Sequence, residues 1–185
     1  MILYINSCPR EDSRTARIAD ALLSTFDDEI QEINVVTDER LQPLDDDTLK
    51  MRELFISTGN LTHPMFDLAK QFAAADTIVI SAPYWDYSFP AALKIYIENI
   101  FVKGIVTIYE GDGVPRGLCN AKKLYYVTTA GGPYDSTYSY EHIADIAKSS
   151  FGIPETELIC VDMLDIDGID AEELVQAKID ELIGD

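Results

Sequence analysis

Three short stretches of this chain collect side chains that can hold a ligand. "NSCPREDSRT" (residues 6–15) sets Ser7, Ser13 and Thr15 around Arg14, just ahead of a helical pattern. Hydroxyls and free backbone N–H groups at a helix start attract an anion. Arg10, Arg14 and Arg17 favour the same reading, because basic residues there otherwise oppose the helix dipole. Glu11 and Asp12 work against it, and Ser13 alone reads equally well as a helix cap. "APYWDYSFP" (82–90) places Tyr84, Trp85, Asp86 and Tyr87, including the only tryptophan, directly after an apolar run. Aromatics in such a turn are either a hydrophobic cap or a platform for a flat ligand. "TTAGGPY" (128–134) offers Thr129, Ala130, Gly131 and Gly132. Paired glycines let a backbone approach a ligand closely, or simply make a turn.

The elements that must position these stretches follow from periodicity. Five apolar runs read as strands: residues 2–6, 32–36, 77–81, 124–129 and 157–162. Their near-continuous apolarity suits strands buried on both faces of a parallel sheet. Helical patterns lie between them. Residues 14–26 put Ile18, Leu22 and Phe26 on one face, and residues 90–101 put Leu93, Ile97, Ile100 and Phe101 on another. Residues 139–151 and 170–183 read likewise, with Leu174, Ala177 and Ile179 inward in the last. Strand–helix alternation gives an α/β fold with helices on both faces. Five such units predict one flavodoxin-like domain over 1–185, a five-stranded parallel sheet of order 2-1-3-4-5. In that order, the loops after strands one, three and four flank the ligand crevice. Those loops are the three stretches above. A phosphate site facing an aromatic platform suits a mononucleotide-sized cofactor, and FMN fits best.

The remaining totals narrow the function classes. Thirty-three acids against fourteen Lys and Arg give a net charge of -19, which argues against nucleic acid and anionic membranes as partners. No run is apolar for long enough to span a membrane, and the start "MILYIN" has no signal-peptide pattern. Cys8, Cys119 and Cys160 form no C-x-x-C pair, so a cytoplasmic setting and no metal site are expected. His63 and His142 have no ligand cluster around them and read as surface or capping residues. Two segments exceed simple connections, 38–75 and 102–122, and suit a dimer interface and a substrate pocket closed from above.

The first loop also carries a rival pattern. Cys8, five residues, Arg14 and Thr15 match the spacing of the low-molecular-weight tyrosine phosphatases, in which the cysteine attacks phosphate and the arginine clamps it. Against this, the loop has no glycine, Pro9 has no N–H to donate, and Glu11 and Asp12 stand beside the phosphate position. No Asp-Pro pair, the general-acid signature of those enzymes, occurs in the chain.

Taken in order, "NSCPREDSRT", "APYWDYSFPAALKIYIE" and "GIVTIYEGDGVPRGLCNAKKLYYVTTAGG" make the chain resemble the FMN-dependent NAD(P)H:quinone oxidoreductases and azoreductases. The resemblance implies a homodimer with FMN at the interface. It implies that Ser7, Ser13, Arg14 and Thr15 hold the flavin phosphate. Tyr84, Trp85, Asp86 and Tyr87 would line one side of the isoalloxazine, and Thr129, Ala130, Gly131 and Gly132 would meet it from the other loop. NADH or NADPH would reduce the flavin and leave, and a quinone or azo acceptor would then take its place, with no side chain acting as nucleophile or base. Tyr87 and Phe89 would shape the acceptor pocket. Two positions depart from the family pattern: Asp86 stands where asparagine is usual, and Ala130 where azoreductases carry a basic residue. A second reading, a flavodoxin-like electron carrier, shares the fold and the acidity but leaves the two extra segments without a use.

Overall fold

The computed structural model describes residues 1–184. Its centre is a five-stranded, wholly parallel sheet. The strands are β1 (Ile2–Asn6), β2 (Ile30–Asn34), β3 (Thr77–Ser81), β6 (Lys123–Thr129) and β7 (Glu155–Val161). Their spatial order is β2-β1-β3-β6-β7, which is 2-1-3-4-5 when the parallel strands alone are counted. Two further strands, β4 (Thr107–Tyr109) and β5 (Pro115–Gly117), form a separate antiparallel hairpin inside the long 102–122 connection.

The helices are α1 (Arg14–Leu23), α2 (Asp46–Ser57), α3 (Asp67–Ala74), α4 (Ala91–Ile100), α5 (Tyr140–Ile146) and α6 (Ala171–Gly184). They cover both sheet faces because alternate strand residues point to opposite sides. Ile2, Tyr4, Val79 and Val127 meet Ile18 and Leu22 of α1 and Val175 of α6 in one core layer. Leu3, Ile5, Ile78, Ile80 and Leu124 meet Phe72 of α3 and Leu93, Ile97 and Ile100 of α4 in the other. Helix α5 runs into a wide π-type turn at Ala147–Phe151, and Gly152 ends it at φ 77°.

Three expectations need correction. Strand β2 covers Ile30–Asn34 rather than 32–36, and it is not buried on both faces: Ile30 and Glu32 are exposed. It is the edge strand beside β1, so it has one neighbour and one solvent side. In α6, Val175, Ile179 and Leu182 pack inward, whereas Leu174 and Ala177 face outward. The helix meets α1 on a narrower stripe than its apolar residues suggest. Residues 38–75 contribute no side chain to the cleft at the strand ends. Arg52 of α2 donates to the carbonyls of Glu98, at 2.9 Å, and Phe101, which ties this segment to the C-terminal end of α4.

Candidate functional site

The strands end where the sequence places its chemistry. A cleft of about 310 Å³ opens there, lined from four loops. Ser13, Arg14 and Thr15 come from the start of α1, Tyr84 and Trp85 from the turn after β3, and Thr129, Ala130 and Gly131 from the end of β6. Thus eight of the twelve residues proposed from the sequence share one cavity.

The anion side is built by α1. Ser13 is the N-cap, with extended backbone, and its Oγ accepts the Ala16 N–H at 3.3 Å. The capping reading of Ser13 therefore holds. Helix geometry leaves the Arg14 and Thr15 N–H groups without intrahelical acceptors, and both residues line the cleft. The helix dipole adds partial positive charge at the same point. Thr15 is almost fully buried, and its Oγ1 lies 2.6 Å from Thr129 Oγ1. Arg17 does not contribute, because its guanidinium pairs with Glu172 of α6 at 2.7 Å.

The aromatic side is a tight hairpin turn. Trp85 and Ser88 exchange reciprocal backbone hydrogen bonds, at 2.9 and 2.8 Å. The two residues between them, Asp86 and Tyr87, both have positive φ, 50° and 65°. This is the type I′ signature, which ordinarily selects Asn-Gly. The strained backbone turns Tyr87 outward, 75% exposed, and Asp86 with it. Neither lines the cleft. Tyr84 instead points back, with its ring edge-on to Tyr134 at 4.8 Å. The Tyr84 hydroxyl is buried with no hydrogen-bond partner among the described residues. Phe89 stacks on His142 and packs on the core, so it does not shape the cleft wall.

The third loop is held from behind. The carbonyls of Ala130, Gly131 and Gly132 accept the N–H groups of Leu164, Asp165 and Met163, at 3.1, 2.8 and 3.1 Å. Among the described residues, the N–H groups of Gly131 and Gly132 donate to no protein acceptor. Gly132 itself lies outside the lining.

Ser7 corrects an expectation. It is fully buried, and its hydroxyl donates to the Ser81 carbonyl at 2.7 Å, so it joins β1 to β3 and does not face the cleft. Cys8 is also buried, and its thiol lies 3.5 Å from Ser81 Oγ. Burial pushes that thiol up, against the hydrogen bonds of Ser13 and Ser81. A phosphatase nucleophile needs the opposite, an accessible cysteine with a lowered pKa. The Cys8–Arg14 spacing is therefore a coincidence of sequence.

Two cleft residues escaped the sequence reading, Leu164 and Asp165 from the loop after β7. Asp165 Oδ1 accepts from Arg14 Nη1 at 3.1 Å, across 151 residues of sequence. Pro9, Arg10 and Asp12 complete the rim on the α1 side, with Pro83 next to Tyr84.

The donor set fits FMN. Free N–H groups and Arg14 stand at one end, an aromatic wall with an unpaired buried hydroxyl at the other, and Gly131 with its free N–H between them. Among the described residues, no helix is long and apolar enough to cross a membrane.

The chain matches the family described as flavodoxin-like fold over residues 1–183. It is 33% identical to an FMN-dependent NADH:quinone oxidoreductase of Clostridium perfringens, covering 98% of this chain and 96% of that one. It is equally 33% identical to a protein of the same name from Clostridium beijerinckii, with 97% and 94% covered. Among solved structures, an FMN-dependent NADH-azoreductase from Bacillus anthracis in complex with FMN superposes with a TM-score of 0.82 at 21% identity, covering 99% of this chain and 95% of that one. The family match over residues 1–183 and the 33% identity along nearly the whole of both chains place the chain in the flavodoxin-like family of FMN-dependent NADH:quinone oxidoreductases.

Proposed function

We propose that this protein is an FMN-dependent NADH:quinone oxidoreductase that also reduces azo compounds or other flat aromatic acceptors. The observation that carries the reading is the single cleft joining Arg14 and the α1 N-terminus to Tyr84 and Trp85. Arg14 and the N–H groups of Arg14 and Thr15 would hold the flavin phosphate. Tyr84 and Trp85 would wall the ring, with the Gly131 N–H group facing its polar edge. Bound FMN supplies the two-electron chemistry, taken from NADH and passed to the acceptor. The chain's own work is to orient two flat molecules in turn at one site, which requires no nucleophile or base and produces ping-pong kinetics.

We infer further that the enzyme is a cytoplasmic homodimer with the flavin at the interface. Trp85, Tyr87 and Tyr138 stay exposed at the aromatic end of the cleft, and the Ser88 hydroxyl holds the Tyr138 carbonyl at 2.6 Å. A second copy would cover such a patch. Three free thiols suit a reducing compartment.

The test is the visible spectrum of the purified protein under anaerobic conditions. Flavin bands that bleach on adding NADH and return on adding a quinone are expected. A colourless protein that takes up no added FMN overturns the reading, and a monomer by light scattering of the flavin-loaded protein overturns the dimer.

A further inference from the structure

The cleft that is to receive a phosphate already contains a carboxylate. Asp165 reaches in from the loop after β7 and takes Arg14, the cation best placed to clamp that phosphate, at 3.1 Å. The position is built, not incidental. Leu164 is buried in the α1–α6 core layer and anchors the loop. Met163 turns it with φ 63°, and the backbone of residues 163–165 is bonded to the carbonyls of 130–132. Gly131 leaves the room: a Cβ there would stand 2.2 Å from Asp165 Oδ2. The space that paired glycines commonly yield to a ligand is here yielded to a protein carboxylate.

The pair itself contributes little to stability, because the side chains are 37% and 71% exposed. Its consequence is electrostatic. A phosphate dianion bound by Arg14 must share the guanidinium with Asp165, and the anchored loop keeps the carboxylate within a few ångströms of it. Asp12 adds a second acid on the rim and Arg10 a second cation, of opposite charge to each other.

We propose that Asp165 competes with the flavin phosphate for Arg14 and so sets how loosely the chain holds its cofactor. It is a positioning residue for affinity and takes no part in the chemistry. The inference rests on the FMN reading above. With Asp165 in place, the loaded fraction of the enzyme follows the free FMN concentration.

The experiment titrates apoprotein with FMN and with riboflavin, which lacks the phosphate, and reads quenching of flavin fluorescence. Three forms are compared: wild type, Asp165→Asn and Asp167→Asn. Asp167 lies on the same loop, exposed and outside the cleft. Asp165→Asn is expected to tighten FMN by about tenfold and to leave riboflavin unchanged, because only the phosphate feels the lost charge. Asp167→Asn is expected to change neither. Asp165→Ser serves as the second variant should the first melt early. Unchanged or weaker FMN binding in both Asp165 variants, or equal tightening of riboflavin, overturns the proposal. Wild-type apoprotein that binds neither flavin overturns the FMN reading and this one with it, a result distinct from flavin binding that ignores Asp165.

Discussion

The hydroxyls of Thr15 and Thr129 stand 2.6 Å apart and tie the first turn of α1 to the last residue of β6. The bond fixes the distance between the anion end of the cleft and its glycine loop. Thr129→Val removes one partner and leaves the buried Thr15 hydroxyl unsatisfied, at a cost of about 1–2 kcal/mol. A lower urea midpoint with an unchanged slope is expected, together with weaker FMN binding in a fluorescence titration. The Thr15→Val, Thr129→Val double variant is expected to lose less than the sum of the two singles, because the pair acts as a unit.

The turn after β3 stores strain that substitution can release. Tyr87 holds φ 65° although glycine is the residue that adopts this conformation freely. The left-handed region costs an L-residue about 1–2 kcal/mol. Tyr87→Gly is therefore expected to stabilise the apoprotein by about 1 kcal/mol, read as a higher melting temperature. Strain kept at a site usually serves that site, so the same variant is expected to dimerise and to bind FMN less well. A variant that is more stable and equally tight would show that Tyr87 has no functional role.

How much of this was legible in the sequence depends on range. β1 and β3 fall where their apolar runs lie, because a central strand is apolar throughout. β2 slips by two residues because an edge strand needs only one apolar face, and Val35 continues the pairing with Asn6 beyond the strand proper, at 2.9 Å. The three loops that meet at the cleft were readable from strand order. What each side chain does within them was not. The outward swing of Asp86 and Tyr87 is a backbone property of a turn in which Tyr87 takes a positive φ that tyrosine ordinarily avoids. The family resemblance makes Ser7 a phosphate ligand, but β3 supplies the Ser81 carbonyl that claims it. Asp165 sits in an acidic loop like several others, and only the tertiary fold brings it to Arg14.

The hairpin β4–β5 yields a test of packing in the long 102–122 connection. Gly117 lies against the end of the π-type turn, where a Cβ would stand 2.0 Å from both Gly152 N and Phe151 C. These are backbone atoms and cannot step aside as a side-chain tip can. Gly117→Ala is expected to cost about 3 kcal/mol, at the upper end of overpacking. Loss of cooperative urea unfolding, or a midpoint lowered to match, checks it. Gly111→Ala, where a Cβ meets nothing within 4 Å, is the neutral control on the same hairpin.

The loop after β2 carries the clearest pH dependence. Arg40 donates to Asp38 through its side chain, Nε to Oδ1 at 2.9 Å, and through its backbone N–H at 3.0 Å. The guanidinium bonds, above all, hold the Asp38 carboxyl below the usual range, and burial offsets this only in part. The folded pKa is thus depressed, so between it and the unfolded value of about 3.9 the unfolded chain binds more protons. The stabilisation is fully present above that value and is lost as pH falls through the folded pKa. Asp38→Asn is therefore expected to be less stable than wild type at about pH 7, with the difference shrinking steadily below about pH 4. Urea midpoints of the two proteins across that range make the comparison. A gap that persists unchanged in acid would assign the stabilisation to the shape of the loop and not to the charge of Asp38.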